Sequence, residues 1–176
     1  MKTKAYNRHD FFLSRKNIFE ICENAIRSTN DTSIFIPHIC GMNDNPSKIS
    51  RLIYDRYPIV KQNIDVSVNH KIGQNQYVSV LHNKSKQSNI FVANMFCRNQ
   101  KNKNRHVNYY ALATCMINLQ NHCKNYKLAN SDQKIEIHSP KIGTGIDGGD
   151  WNTIANLIDD IWANYFTVFI YEPNNV

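Results

Sequence analysis

A glycine-rich turn between a strand-like segment and a helix-like segment constrains the fold of this chain more than any other feature. Residues 134–139 alternate apolar and polar with a period of two, which is typical of a strand. Residues 152–162 carry apolar side chains at the spacing of one helical face, at Ile154, Leu157, Ile158 and Ile161. Between them, residues 141–151 read K-I-G-T-G-I-D-G-G-D-W. A strand, a glycine-rich turn and a helix in this order predict an α/β fold.

The same turn predicts a binding site for a phosphate. Glycines let the backbone come close to a ligand, and the N-terminus of the following helix presents N–H groups and a positive dipole. Gly143, Gly145 and Gly148 also satisfy the dinucleotide pattern G-x-G-x-x-G, with Glu172 where a ribose-binding acid belongs. Only four residues follow Glu172, so we do not expect the further βαβ units of a Rossmann domain. No Gly-Lys-Ser/Thr sequence follows the turn, which excludes a Walker A loop.

Length, charge and cysteine content narrow the class of protein. The 176 residues suit a single domain, and the net charge of +7 favours anionic partners. The five cysteines form no C-x-x-C pair, which predicts reduced thiols in a cytoplasmic protein and no zinc site. No apolar run approaches the length of a membrane span, so we expect no membrane partner. The densest basic run, residues 98–105, lacks interleaved aromatic residues, which disfavours nucleic acid as a partner.

Hydrophobic patterns predict six strands and four helices. The strands are expected at residues 3–6, 34–36, 76–81, 89–96, 134–139 and 166–171, and the helices at residues 17–26, 49–57, 108–126 and 152–162. Ser14 and Ser47 are the expected N-caps of the first two helices, residues 37–46 a loop, and Pro58 a helix stop. This order predicts one α/β domain over residues 1–176, with a mixed sheet and helices on both faces.

Four segments match the landmarks of a known family. Residues 139–151 follow its loop Pro-x-Ile-Gly-x-Gly-Leu-x-x-x-x-Trp almost position for position. Residues 92–96, V-A-N-M-F, match its strand Val-Ala-Asn-Met-Ile, and residues 36–40, I-P-H-I-C, match the strand that enters its first ligand loop. Residues 6–12 contain, as Asp10, the acid of its Gly-Asp-Ile/Leu-Phe turn. The chain thus resembles the macro domain family, particularly its small ADP-ribose-1″-phosphate phosphatase and ADP-ribosyl hydrolase branches and their phage relatives.

The resemblance implies a three-layer α/β/α fold with a mixed central sheet and a site for ADP-ribose or a derivative. It implies that Asp10 accepts a hydrogen bond from the adenine amino group, and that the glycine-rich turn holds the diphosphate. Asp147 and His38 are the expected catalytic residues for hydrolysis at the distal ribose, which removes a 1″-phosphate or an ADP-ribosyl group. The other expected ligand contacts are Phe11, Gly41, Asn43, Lys48, Asn94, Gly143, Thr144, Gly145, Ile146, Gly148 and Gly149. No metal or redox cofactor is implied.

The chain departs from the family pattern at three places. His9 and Lys48 stand where glycines are usual. A lysine at position 48 either supplies charge where close backbone approach is lost, or narrows the groove. Residues 96–98 contain no lysine, which argues against the lysine-adduct mechanism of one hydrolase branch.

Two other classes of function compete with hydrolysis. One is a non-catalytic reader of ADP-ribosylated macromolecules, or a protein that sequesters an NAD-derived signalling nucleotide. The other is an RNA-binding protein that uses the basic charge. The individual residues also have structural explanations. Asp10 and Asp150 can stabilise helix N-termini, and His38 can be a buried histidine with satisfied hydrogen bonds.

Overall fold

A computed structural model describes residues 9–28, 31–41, 46–66, 70–98 and 106–172. Its strands are β1 (Phe12–Ser14), β2 (Thr32–Cys40), β3 (Asn75–Asn83), β4 (Ser88–Phe96), β5 (Lys134–Pro140) and β6 (Thr167–Tyr171). Its helices are α1 (Ile18–Ser28), α2 (Lys48–Arg56), α3 (Pro58–Val66), α4 (Tyr109–Ala129) and α5 (Trp151–Ile158), which continues into a π-helical turn, Asp159–Ala163. The strand predicted at residues 3–6 lies outside the described residues. None of the helices in the described ranges has both the length and the apolar composition that crossing a membrane requires.

The strands form one mixed sheet in the order β1-β6-β5-β2-β4-β3. Every neighbouring pair is parallel except β3 and β4, which form an antiparallel hairpin. Loops that follow parallel strands meet at one edge of a sheet. The segments after β1, β2, β5 and β6 therefore share the carboxyl edge.

Both faces of the sheet are covered by helices. Along β2 the buried side chains alternate: Ile34 and Ile36 pack in a core with α1, α2 and α3, whereas Phe35 and Ile39 pack with α4 and α5 on the opposite face. Because successive residues of a strand point to opposite faces, a strand buried on both sides reads as a continuous apolar run. The expected three-layer α/β/α architecture is confirmed.

Asn17, and not Ser14, caps the first helix. Asn17 Oδ1 accepts hydrogen bonds from the N–H groups of Phe19 at 2.9 Å and Glu20 at 3.3 Å. Ser14 is the last residue of β1, three residues too early to reach the first turn of α1. The predicted cap of α2 is confirmed, because the Ser47 side chain accepts a backbone N–H of the first turn.

Two prolines have structural positions that differ from the prediction. β2 continues through Pro37 to Cys40, where a loop was expected. β5 pairs with β2 only as far as Phe35, which leaves that side of Pro37 without a strand ladder. Pro58 ends α2 as predicted but also begins α3, a helix that the prediction missed. Proline suits the first helical position because its missing N–H has no intrahelical acceptor there.

Candidate functional site

A cavity of about 630 Å³ opens at the carboxyl edge of the sheet. Residues 16–19 line it from the start of α1, residues 47–49 and Leu52 from α2, and residues 140–147 from the end of β5 and the glycine-rich turn. Ile39, Tyr171 and Glu172 complete the lining. The volume lies in the range of small-molecule sites, and the position is where α/β sheets bind their ligands.

The glycine-rich turn depends on Gly143, Gly148 and Gly149 for its shape, and Gly148 has a φ of +63°. Gly145, in contrast, faces open space. Gly143 has a φ of +77°, and a Cβ there would lie 2.6 Å from Ile154 Cδ1. The Gly149 N–H donates to the Gly143 carbonyl at 2.7 Å, and a Cβ on Gly149 would also lie 2.7 Å from that oxygen. At Gly145 a Cβ would meet no atom within 4 Å. The turn is therefore closed by Gly143 and Gly149, while the backbone at Gly145 borders the cavity.

Several groups that favour an anion surround the cavity. In the turn, the N–H groups of Gly145, Ile146 and Asp147 donate to no described residue. Helices α1 and α2 both begin in the lining, and the N-terminus of a helix carries partial positive charge. Three lysines also line the cavity, namely Lys16, Lys48 and Lys141. The arrangement suits a ligand with more than one negative charge.

Apolar side chains form the second part of the lining: Ile18, Phe19, Ile39, Ile49, Leu52, Ile142, Ile146 and Tyr171. Leu52 and Ile146 are about half exposed, as the walls of an open site are. An apolar wall beside an anion-binding turn fits a molecule with a flat or weakly polar part attached to charged groups.

Buried hydrogen bonds fix Tyr171 in this wall. His138 Nε2 lies 3.0 Å from Glu136 Oε2, and His138 Nδ1 lies 2.7 Å from the Tyr171 hydroxyl. The hydrogen bond from His138 is the main cause that lowers the pKa of Glu136 to about 2. Burial raises the pKa of Tyr171, so its hydroxyl stays protonated beside the imidazole. The three residues hold one side of the cavity rigid.

Asp147 lines the cavity as a member of a buried ion pair. Its Oδ1 lies 2.7 Å from Arg98 Nε, and the side chains of Arg98 and Asp147 are 4% and 6% exposed. The Asp147 carbonyl accepts the N–H groups of His106 at 2.9 Å and Val107 at 3.1 Å. These contacts tie the glycine-rich turn to the segments on either side of residues 99–105. The ion pair holds the carboxylate inside the fold.

His38 and Asn94 lie inside the fold and do not line the cavity. His38 is fully buried in β2, with Nε2 2.6 Å from Asn94 Oδ1 and Nδ1 3.2 Å from Ser50 Oγ. Asn94 Nδ2 in turn donates to Gln76 Oε1 at 2.9 Å. Buried polar groups need such partners, and this set joins three strands to α2. The expected catalytic role of His38 therefore has no geometric support. His38 is instead a buried histidine with satisfied hydrogen bonds, which was the structural explanation.

The other expected ligand contacts divide between the cavity and its surroundings. The lining includes Lys48, Gly143, Thr144, Gly145 and Ile146. It does not include Phe11, Gly41, Gly148 or Gly149. Asn43 lies outside the described residues. Asp150 caps α5, as its position before the helix predicts, because its carboxylate accepts the N–H of Thr153 at 2.8 Å.

The structure brings Asn17, and not Asp10, to the cavity. Asp10 precedes β1, and its N–H donates to Asp159 Oδ1 at 3.0 Å. Asn17 follows β1, at the edge where the parallel strands end, and lines the cavity. Residues 16–19, K-N-I-F, match the last two positions of the Gly-Asp-Ile-Phe turn and offer an amide in place of the acid. This match, directly after a short strand, is the sequence signal that could have identified residues 16–19 as part of the site.

Three charged residues of the lining are not predicted as ligand contacts by the sequence patterns, namely Lys16, Lys141 and Glu172. Glu172 fits only the Rossmann pattern, which the rest of the chain does not support. Lys141 Nζ lies 3.6 Å from Glu172 Oε1 and 4.9 Å from the centre of the Trp151 ring. Their positions after β5 and β6 become significant only once the strand order is known.

Comparison with known proteins identifies the fold. No protein-family model matches the sequence, and no curated protein matches it significantly. Among solved structures, the macrodomain of Mycobacterium tuberculosis DarG matches with a TM-score of 0.66 at 13% identity, over 93% of this chain and 98% of that chain. A macrodomain protein from Streptomyces coelicolor matches with a TM-score of 0.57 at 18% identity, over 82% of this chain and 90% of that one. Thermosipho africanus DarTG in complex with ADP-ribose matches with a TM-score of 0.58 at 11% identity, over 86% of this chain and 40% of that one. This chain has the macrodomain fold.

Proposed function

We propose that the cavity binds ADP-ribose or a close derivative. The observation that carries the proposal is the convergence of the glycine-rich turn, two helix N-termini and three lysines on one cavity with an apolar wall. Two adjacent phosphates are the ligand groups that such a set of N–H donors and positive charges recognises. The diphosphate is assigned to the space between residues 143–147 and the first turn of α2. Lys48 supplies charge there in place of a further glycine.

The adenine is assigned to the side of the cavity formed by the start of α1. Asn17 Oδ1 caps the helix, which leaves the Nδ2 group as a donor. An amide can donate to a ring nitrogen of adenine, whereas a carboxylate can only accept from the amino group. Phe19 and Tyr171 offer apolar and aromatic surface to the base on the same side. The adenine-binding role expected of Asp10 passes, in this proposal, to Asn17.

The comparisons support the choice of ligand. DarTG from Thermosipho africanus, which shares this fold over 40% of its chain, was solved as a complex with ADP-ribose. The order of landmarks along this chain, with a turn after β1 and a glycine-rich turn after β5, is also the order in which the resemblance distributes adenine and diphosphate contacts. The RNA-binding hypothesis gains nothing comparable, because the described anion-favouring groups surround a cavity and not an extended groove.

Hydrolysis at the distal ribose is the second candidate activity, and Asp147 is the residue that favours it. Asp147 lines the cavity within the turn assigned to the diphosphate. Its carboxylate is, however, engaged by Arg98, and His38 is out of reach, so we place binding ahead of turnover. A reader or sequestering protein would use the same binding without hydrolysis.

A thermal-shift series tests the proposed ligand. ADP-ribose should raise the melting temperature more than AMP, and AMP more than ribose 5-phosphate, because each smaller ligand fills less of the cavity. An RNA oligonucleotide serves as the competing class, with a salt titration to expose non-specific binding. Stabilisation by RNA alone, without any response to ADP-ribose, would contradict the proposal. Phosphate release from ADP-ribose-1″-phosphate, measured in the same preparation, separates an enzyme from a pure binder.

A further inference from the structure

The acidic residue at the end of β6 gives the cavity a second kind of recognition. Glu172 is the one carboxylate among the described lining residues besides Asp147, and its side chain is 31% exposed. The Asp147 carboxylate is held by Arg98 inside the fold, whereas Glu172 lies at the mouth of the cavity. A carboxylate at the border of an otherwise cationic site opposes anion binding, unless the ligand also carries hydrogen-bond donors from which the carboxylate can accept.

Backbone contacts locate Glu172 on the α1 side of the cavity. Its N–H donates to the Ser14 carbonyl at 2.9 Å, and Arg15 Nε lies 3.4 Å from its Oε2. Asn17, which is assigned to the adenine, begins α1 just after these residues. On the other side, Lys141 Nζ lies 3.6 Å from Glu172 Oε1 and belongs to the segment that leads into the glycine-rich turn. Glu172 thus stands between the places assigned to the adenine and the diphosphate.

We propose that Glu172 accepts hydrogen bonds from the 2′- and 3′-hydroxyls of the adenosine ribose and excludes ligands with a 2′-phosphate. The proposal rests on the proposed binding of ADP-ribose. The ribose is the part of the ligand that joins adenine to diphosphate, and its hydroxyls are donors. Two ionised oxygens offer about four acceptor positions, so the carboxylate can keep its cation contacts and still accept from a diol.

The same carboxylate restrains the two cations beside it. Arg15 and Lys141 are both paired with Glu172, and Lys16 also lines the cavity. With Glu172 ionised, a 2′-phosphate meets a like charge at short range. With Glu172 neutralised, the guanidinium and the ammonium become available to bind that phosphate. One substitution is therefore expected to convert a ribose site into a 2′-phosphate site.

Calorimetric titration of the wild type and Glu172→Gln with three ligands tests this inference. The ligands are ADP-ribose, its 2′-phosphate, and its analogue with 2′-deoxyadenosine. The wild type should bind ADP-ribose about tenfold or more tightly than either of the other two, the scale of one charge-assisted hydrogen bond. In Glu172→Gln the deficit of the 2′-deoxy analogue should shrink, because the amide oxygen still accepts from the 2′-hydroxyl but carries no charge. The 2′-phosphate should gain about tenfold or more in affinity, with a steep dependence on salt.

Asp132→Asn is the matched control for net charge. Asp132 is exposed in the turn before β5, at the opposite edge of the sheet, so its replacement should leave all three affinities unchanged. If Glu172→Gln still binds ADP-ribose and the ratios of its three affinities equal those of the wild type, the role of Glu172 is overturned and the proposed function stands. Failure of the wild type to bind ADP-ribose would overturn both.

Discussion

Arg98 Nε lies 2.7 Å from Asp147 Oδ1 in an ion pair that solvent scarcely reaches. Arg98 follows β4 and forms an isolated bridge with Val107, while the Asp147 carbonyl accepts the N–H of the same Val107. The glycine-rich turn is thereby attached to the carboxyl edge of the sheet at two points. The ion pair sets the position of the backbone that we assign to the diphosphate.

Asp147→Asn should destabilise the protein by about 3 kcal/mol, because it removes the negative charge that faces a buried guanidinium. Arg98→Met should cost a similar amount, and the double variant less than the sum of the two single ones. Urea unfolding monitored by circular dichroism measures all three. Unchanged stability in Asp147→Asn, together with turnover reduced about a hundredfold, would instead mark Asp147 as a catalytic acid or base.

Alanine substitutions along the turn should separate the glycines that shape it from the glycine that borders the ligand. Gly149→Ala places a Cβ 2.7 Å from the Gly143 carbonyl, and we expect a loss of about 1–3 kcal/mol in the free energy of unfolding. Gly145→Ala meets open space and should change that free energy by less than about 0.5 kcal/mol. Thermal and urea unfolding of the pair measure the difference. Equal destabilisation by both would show that the turn is built differently.

Asn17→Ser should weaken ADP-ribose without weakening α1. Serine caps a helix about as well as asparagine, so the free energy of unfolding should stay within about 0.5 kcal/mol of the wild type. Its short hydroxyl cannot replace the amide donor, and ADP-ribose affinity should fall by about 1–2 kcal/mol. Two controls accompany the variant. Ribose 5-phosphate, which lacks adenine, should bind Asn17→Ser as tightly as it binds the wild type. Asp10→Ala should bind ADP-ribose as tightly as the wild type does. An equal loss in Asp10→Ala would return the adenine-binding role to Asp10.

Acid stability should depend on Glu136. The hydrogen bond from His138 lowers its pKa to about 2 in the folded protein, below the value of an unfolded glutamate. The unfolded state therefore binds the proton first as the pH falls, and the stabilisation from Glu136 is present above about pH 4 and is lost between about pH 4 and pH 2. Glu136→Gln should flatten the unfolding free energy over that interval. An unchanged pH profile would show that another carboxylate carries the dependence.

The regular elements were predictable because local pattern and tertiary burial agree for them. The β3–β4 hairpin, α4 behind its Asn108 cap, and β5 with the glycine-rich turn match the expected positions. The elements missed depend on context instead. Pro37 is accommodated in β2 because β5 pairing has already ended, and Pro58 starts a helix because a second apolar face, including the buried Val60, packs against the sheet.

The site residues were harder to predict because their roles depend on the strand order. Asp10 follows the strand expected at residues 3–6, whereas Asn17 follows β1 at Phe12–Ser14, and only the structure shows where β1 lies. His38 stands at the end of an apolar strand, where a ligand contact is reasonable, yet Asn94 and Ser50 satisfy both of its ring nitrogens inside the fold. The contact of Asp147 with Arg98 spans forty-nine positions of the chain and leaves no local trace in the sequence.

Calorimetric titration of ADP-ribose into the wild type and Gly145→Val tests whether the glycine-rich turn binds the diphosphate of ADP-ribose. A side chain at Gly145 enters open space beside the cavity, so the variant should melt like the wild type while the valine occupies the room needed by the diphosphate. We expect one-to-one binding by the wild type and no measurable heat from the folded variant. Absence of heat from the wild type at millimolar ADP-ribose, or wild-type affinity in Gly145→Val, would contradict this expectation.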